Sequence, residues 1–396
     1  MNHVLRVFTV CIFMLASSFA VAATQSVKEW NMLVFLNGNN NLDSFGPMNI
    51  NQMEQLGSND QVNVLVQWAS ASRDNVTRHL ITKDSNTNTV TSPVVQNLGS
   101  VDMGDWKELV KFVDWANQNY PAKKYFIVVW NHGGGWHLLN VPGVIRPMDI
   151  SWDDNTGNRI TTEQLGQAMA ESAKIIGHKV DVYSSDACLM GMVEVASEMS
   201  ESVQYYLGSQ DVEPGAGWPY ATFLAKWFNN PAMTPAELVK VHAADYLAAY
   251  NGGVYGHRKV TMSAYDLSQL DTYEQSLKRM AEELQGLNDG DIFKVARSAK
   301  NAKLFTYWDY RDVIDFVDLI SRNGITTPAM QSVRDAQNSF VIANSQNQDN
   351  RTYGVSIWLP TGASSSDYSG HIERYHGLKF NQRTGWANLV TKLQGK

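Results

Sequence analysis

Residues 183–191 read Y-S-S-D-A-C-L-M-G, and residues 130–136 read W-N-H-G-G-G-W. A thiol and an imidazole are the minimum pair for nucleophilic catalysis by cysteine. The imidazole takes the thiol proton and returns it to a leaving group. Cys188 and His132 each follow an apolar run that reads as a strand, residues 180–184 and 125–130. Ligands of parallel α/β sheets bind at the carboxyl ends of strands, so both side chains belong on one rim. A helical pattern over 189–199 then places Cys188 at a helix N-terminus, which would favour the thiolate by up to about 2 kcal/mol. The Cys188 amide can donate to an oxyanion. Gly133 and Gly134 let a second backbone N–H approach a substrate with no side chain in the way. Asp186 lies two residues before Cys188, on the same side of an extended chain. A supporting role in shaping the site suits it, and so does an N-cap.

The cysteine count sharpens the question. The chain opens MNHVLRVFTVCIFMLASSFAVAATQ: a short basic start, an apolar run over 7–19, then Ala20-Val21-Ala22. These are the three regions of a secretory leader, read here as 1–23. The run is shorter than the 20 or so residues that span a bilayer, and no later run approaches that length. Secretion or residence in a periplasm is therefore expected. Cys11 leaves with the leader, so the mature chain carries one thiol, Cys188, and no internal disulfide. In an oxidising compartment a lone thiol is a liability or a working group. The net charge of −7 is spread without long runs, and no basic patch or aromatic RNA-binding motif occurs. That composition favours solubility and speaks against nucleic acid.

The elements that must position the pair alternate along the chain. Strands read over 32–36, 62–68, 125–130, 180–184 and 203–208. Helices read over 46–56, 105–117, 161–176 and 189–199, the third opened by a Thr161-x-x-Gln164 capping pattern. A polar hairpin at a sheet edge reads over 77–82 and 89–95. Alternation of this kind implies a mostly parallel sheet covered on both faces. From about Tyr265 the pattern becomes helical, over 267–287, 292–302 and 313–320. A strand returns over 353–360, and the Ser- and Gly-rich residues 362–370 read as loop. The division drawn is a leader over 1–23, an α/β catalytic domain over 24–264 and a helical C-terminal subdomain over 265–396. With 44% hydrophobic residues the core can be large.

The order strand–His–Gly, then strand–Asp-Ala-Cys, resembles the caspase-like clan of cysteine peptidases. Within it, W-N-H-G-G-G-W, D-A-C-L-M-G-M-V-E-V-A, G-S-Q-D-V-E-P-G-A-G-W-P-Y and G-V-S-I-W-L-P resemble the clostripain-like peptidases. The N-x-N-N-N-L-D stretch ending at Asp43 is similar to that family's first loop. The resemblance covers roughly 30–360, in the same order. It implies a caspase-like αβα sandwich and a secreted cysteine endopeptidase working through a thioester acyl-enzyme. Cys188 would be the nucleophile and His132 the proton carrier. The amides of Gly133 and Cys188 would form the oxyanion hole. Many relatives cut after Arg or Lys, with an Asp in the P-G-x-G-W loop. Here that position is Ala216, which cannot pair with a cation, and an unpaired buried cation is costly. Asp211, Glu213, Ala216 and Trp218 are the residues expected to shape the substrate pocket, with Asp211 or Glu213 as substitute acids. Relatives are often activated by cleavage between the His and Cys motifs; residues 136–159 supply such a loop, with Arg146 and Arg159. Calcium is linked with the family, although the sequence requires no cofactor. Residues 153–155 and 39–43 offer oxygens, but neither has a calcium-loop spacing.

Other chemistries fit less well. An esterase using H-G-G-G needs a G-x-S-x-G elbow, and none occurs. A zinc hydrolase needs clustered ligands such as H-E-x-x-H, also absent. The alternative that stays open is a catalytically inactive member that binds peptide or a partner protein. Either way a monomer acting on peptide or protein is expected.

Overall fold

The computed structural model describes residues 26–395, apart from 142–143, 148, 307–308 and 362–365. The leader read over 1–23 lies outside the described residues. In chain order the strands are β1 (Lys28–Gly38), β2 (Val62–Ser70), β3 (Val76–Leu80), β4 (Val94–Gly99) and β5 (Ala122–Trp130). Two hairpins follow, β6 (Leu138–Val141) with β7 (Val144–Pro147) and β8 (Ile150–Asp153) with β9 (Asn158–Ile160). Then come β10 (Val180–Asp186), β11 (Val203–Gly208), β12 (Asn251–Gly253), β13 (Gly256–His257), β14 (Thr261–Asp266), β15 (Tyr310–Asp312), β16 (Val341–Gln346) and β17 (Ser356–Trp358). The main sheet has nine strands in the order β16-β14-β11-β10-β5-β1-β2-β3-β4. Its centre, β11-β10-β5-β1-β2, is parallel. Antiparallel pairs flank it on both margins; the hairpin expected at an edge over 77–82 and 89–95 is β3–β4, whose second strand begins later, at Val94.

Side chains alternate across a strand, and β1 and β5 show what that does here. Leu33, Phe35, Ile127 and Val129 point into one apolar layer; Met32, Val34, Leu36, Phe126 and Val128 point into the other. Both faces are buried, so these strands carry near-continuous apolar runs, as central parallel strands do. Helices Phe45–Glu54, Tyr220–Asn229 and Pro235–Tyr250 cover the second face. Helices Trp106–Asn119, Thr162–Ile176 and Val193–Met199 cover the first. The capping pattern at Thr161 is a reciprocal box with Gln164. The architecture is a mixed α/β sandwich around a mostly parallel sheet.

Beyond residue 264 the chain is mainly helical, as expected. Its helices add their apolar faces to the first layer, where Leu277, Phe316 and Leu389 join Leu33 and Ile127 in one cluster. It also returns β16 to the main sheet, so one apolar layer runs across the boundary drawn at 264/265. The late strand is short, β17, and pairs with β15 outside the main sheet. The loop expected over 362–370 is corrected: residues 362–365 lie outside the described residues, and a helix, Ser366–Gly377, occupies the rest. Tyr368, Ile372 and Tyr375 fall on one face of it and are buried. That spacing outweighs the local Ser and Gly content.

Candidate active site

Strand register brings the two motifs together. In the β5–β10 pair, Trp130 lies opposite Asp186. His132 is two residues past Trp130, and Cys188 is two past Asp186. Adjacent strands sit about 4.8 Å apart, so both residues leave the sheet side by side at the same height. Gly133 then lets the two loops touch. A Cβ there would lie 2.5 Å from the Cys188 carbonyl oxygen, 3.0 Å from Ala187 Cβ and 3.1 Å from Met190 Cγ. A cleft of about 290 Å³ opens above this contact, lined by His132, Cys188, Leu42, Asp186, Glu213 and Gly217 among others.

The helix expected to begin at 189 begins at Val193. Between them the chain turns irregularly, with Leu189 at φ 60°, a left-handed conformation that is rare for leucine. Tertiary bonds hold it there: the Leu189 amide donates to Asp211 O at 3.1 Å, the Gly191 amide to Ser209 O at 2.7 Å, and the Ser356 amide to Gly191 O at 2.9 Å. Backbone groups committed to the segment after β11 and to β17 cannot close helical turns, so the apolar spacing over 189–192 does not become helix. The expected helix-dipole lowering of the thiol therefore has no basis. Burial instead pushes the Cys188 thiol up to about 12, and the nearby Glu213 and Asp211 charges add to the rise. The Glu213 amide, donating to Cys188 Sγ at 3.3 Å, opposes it. At neutral pH the resting side chain is the thiol.

His132 is half-buried, and its Nε2 donates to Asn41 Oδ1 at 2.6 Å. Of the two glycine amides considered for an oxyanion, that of Gly134 is used by Asp149 O at 3.0 Å. The Gly133 amide has no backbone acceptor among the described residues.

Asp186 is buried under the cleft. Its Oδ2 accepts from Tyr220 Oη at 2.8 Å and from the Trp218 amide at 3.4 Å. Gly217, at φ 63°, lies on the carboxylate so closely that a Cβ would fall 2.9 Å from Oδ1. Asp186 thus pins the 213–218 loop to the end of β10 and is no helix N-cap. The Glu213 carboxyl oxygens are buried beside it. Burial pushes both acids upward, and the neighbouring Asp186 charge pushes Glu213 further.

Of the four residues expected to shape the pocket, Glu213 lines the cleft and Asp211, Ala216 and Trp218 do not. Asp211 Oδ1 accepts from the Thr306 amide and hydroxyl, and its Oδ2 from Gln348 Nε2 at 2.7 Å. The Ala216 carbonyl is held by Asn49 Nδ2 at 3.0 Å. Trp218 is fully buried against Phe126, Tyr220 and His242. Sequence reasoning missed Asn41 as a partner of His132 and the Glu213 backbone as a partner of the thiol.

The two segments considered for calcium do meet, since Asn39 Nδ2 donates to Asp153 Oδ2 at 2.9 Å. Asp153 also accepts from the amides of Met103, Asn155 and Thr156. Its oxygens are filled by N–H donors, so this carboxylate does not fit a cation. In the 136–159 segment, Arg146 lies in β7, and Arg159 Nε donates to buried Asp149 at 3.0 Å.

Among the described residues, no helix is long and apolar enough to cross a membrane. A sequence model of the Clostripain family matches residues 34–392. Clostripain of Hathewaya histolytica is 25% identical over 313 residues, 66% of this chain and 58% of that protein. The chain thus spans a little over half the length of that relative. Solved structures with the same fold include a secreted C11 cysteine protease from Bacteroides thetaiotaomicron in complex with an irreversible peptide inhibitor. It has a TM-score of 0.67 at 21% identity, over 92% of this chain and 99% of that one. An inactive zymogen C11 protease from Parabacteroides distasonis gives 0.68 at 19%, over 91% and 99%. With the family match running through both the His132 and the Cys188 loops, the chain belongs to the clostripain family.

Proposed function

We propose that this protein is an exported cysteine endopeptidase in which Cys188 is the nucleophile and His132 the proton carrier. The observation that carries the reading is the Gly133–Cys188 contact, which seats the thiol loop and the imidazole loop on one cleft. Cys188 Sγ attacks the scissile carbonyl carbon, and its proton passes to His132 as the S–C bond forms. A thiol held in its protonated form makes that transfer part of the attack. The oxyanion is met by the amides of Gly133 and Cys188. His132 then protonates the leaving amine, the C–N bond breaks, and a thioester remains. Water attacks the thioester with His132 taking its proton, and the carboxylate product leaves as the thiol is restored. Asp186 and Glu213 line the cleft, and an entering cation would offset the burial that raises both carboxyls, so the favoured side chain is a cationic one despite Ala216.

A peptide-binding module that does not cut is the second reading, favoured by the packing of the thiol against the Glu213 backbone. A peptide library profiled with the wild type and with Cys188→Ala separates the two. Cleavage after Lys or Arg that vanishes in Cys188→Ala supports the peptidase. Binding without cleavage in either protein supports the module.

A further inference from the structure

The end of β1 and the loop that follows read Asn37-Gly38-Asn39-Asn40-Asn41, and the asparagines divide by environment. Asn37, Asn39 and Asn40 are buried. Asn37 Nδ2 donates to Ser151 O and Trp152 O, Asn39 Nδ2 to Asp153, and Asn40 Nδ2 to Trp152 O at 2.9 Å. Asn131, the residue before His132, binds the same frame: its Nδ2 donates to Asn37 O at 2.7 Å, and its Oδ1 accepts from the Trp152 amide. The loop is thereby bolted to the strand end that carries His132. Asn41 alone of the run is exposed, and its oxygen faces His132 Nε2.

We infer that Asn41 is a positioning residue for His132, holding the imidazole in the tautomer protonated on Nε2 so that Nδ1 carries the lone pair that takes the thiol proton. The inference rests on the peptidase reading. An amide oxygen accepting from one ring nitrogen fixes both ring orientation and tautomer. Asn40 Oδ1 accepts from the Leu42 amide at 2.9 Å, which braces the turn on which Asn41 sits. The titratable groups that share the cleft with His132 are Asp186, Cys188 and Glu213.

The test compares Asn41→Ala and Asn41→Asp in the full chain. Asn41→Ala is expected to lower kcat by about 10-fold or more with KM within about twofold, because general-base efficiency depends on the placed lone pair. Asn41→Asp retains the acceptor and should restore most of that loss. His132 titration, followed by NMR in the Cys188→Ser protein, should move to lower pH in Asn41→Ala and to higher pH in Asn41→Asp. A structural role would not produce shifts of opposite sign. Wild-type kcat in Asn41→Ala, or a His132 titration unmoved by both changes, overturns the inference. Cleavage that persists in Cys188→Ala defeats the peptidase reading instead, and the NMR arm judges Asn41 without turnover.

Discussion

Gly133→Ala adds one methyl group and keeps the amide assigned to the oxyanion hole. The new Cβ would sit 2.5 Å from the Cys188 carbonyl oxygen, a backbone atom that cannot rotate away. Relief to an ordinary 3.4 Å contact moves the two loops apart by roughly 0.9 Å, and misplacement by about 1 Å costs about 10²-fold in rate. Overpacking a dense site also destabilises by about 1–3 kcal/mol, which is a few degrees in Tm for a chain of this size. The assay is kcat/KM on the best peptide from the library, with a thermal melt beside it. The expected result is a rate loss of about two orders of magnitude in a protein that still melts cooperatively within several degrees of the wild type. A variant with kcat/KM within threefold of wild type would refute the reasoning, since the loops could not then touch at Gly133.

Glu194 is fully buried, with Oε1 accepting from the Trp358 amide at 2.8 Å and Tyr375 Oη at 3.0 Å. Burial, with Asp309 adding to it, raises its carboxyl to about 7. Because the folded value exceeds the unfolded one, the contribution is fully present below about pH 4.5 and lost as pH rises through about 7. Denaturant unfolding should show Glu194→Gln gaining stability relative to wild type by up to about 3 kcal/mol between pH 5 and 8. A stability difference that does not change over that range contradicts the assignment. The raised thiol makes a separate prediction: iodoacetamide labelling of resting Cys188 should still accelerate between pH 7 and 9, because the thiolate fraction grows throughout. A rate that reaches its plateau below pH 7 would show an ionised resting thiol.

Much of this was legible in the chain because central parallel strands write themselves as apolar runs, and residues 125–130 and 180–184 lie inside β5 and β10. The rule that ligands gather at strand ends then singles out His132 and Cys188. What composition cannot show is where backbone hydrogen bonds go. Residues 189–192 have helical apolar spacing, yet the Leu189 and Gly191 amides are bound to the segment that follows β11 and the Gly191 carbonyl to β17, so the helix starts late, and burial raises the thiol. Asn41 was missed for a related reason. The strand-end rule was applied to two strands, while β1 also ends on that rim, and its asparagine run was weighed for calcium rather than for His132. Ala216 was judged by its place in the P-G-A-G-W loop. Its carbonyl is tied to Asn49, and the cleft's acids come from Asp186, at the end of β10, and from Glu213, three residues upstream.

The most direct test is covalent trapping. The protein is incubated with a peptidyl halomethyl ketone ending in lysine, and the intact mass and adduct site are read by mass spectrometry. The account predicts a single adduct on Cys188, formed with rate saturation and slowed strongly in His132→Ala. An adduct on another residue, or labelling of Cys188 at the same rate in His132→Ala, would contradict the pairing of thiol and imidazole on which the account stands.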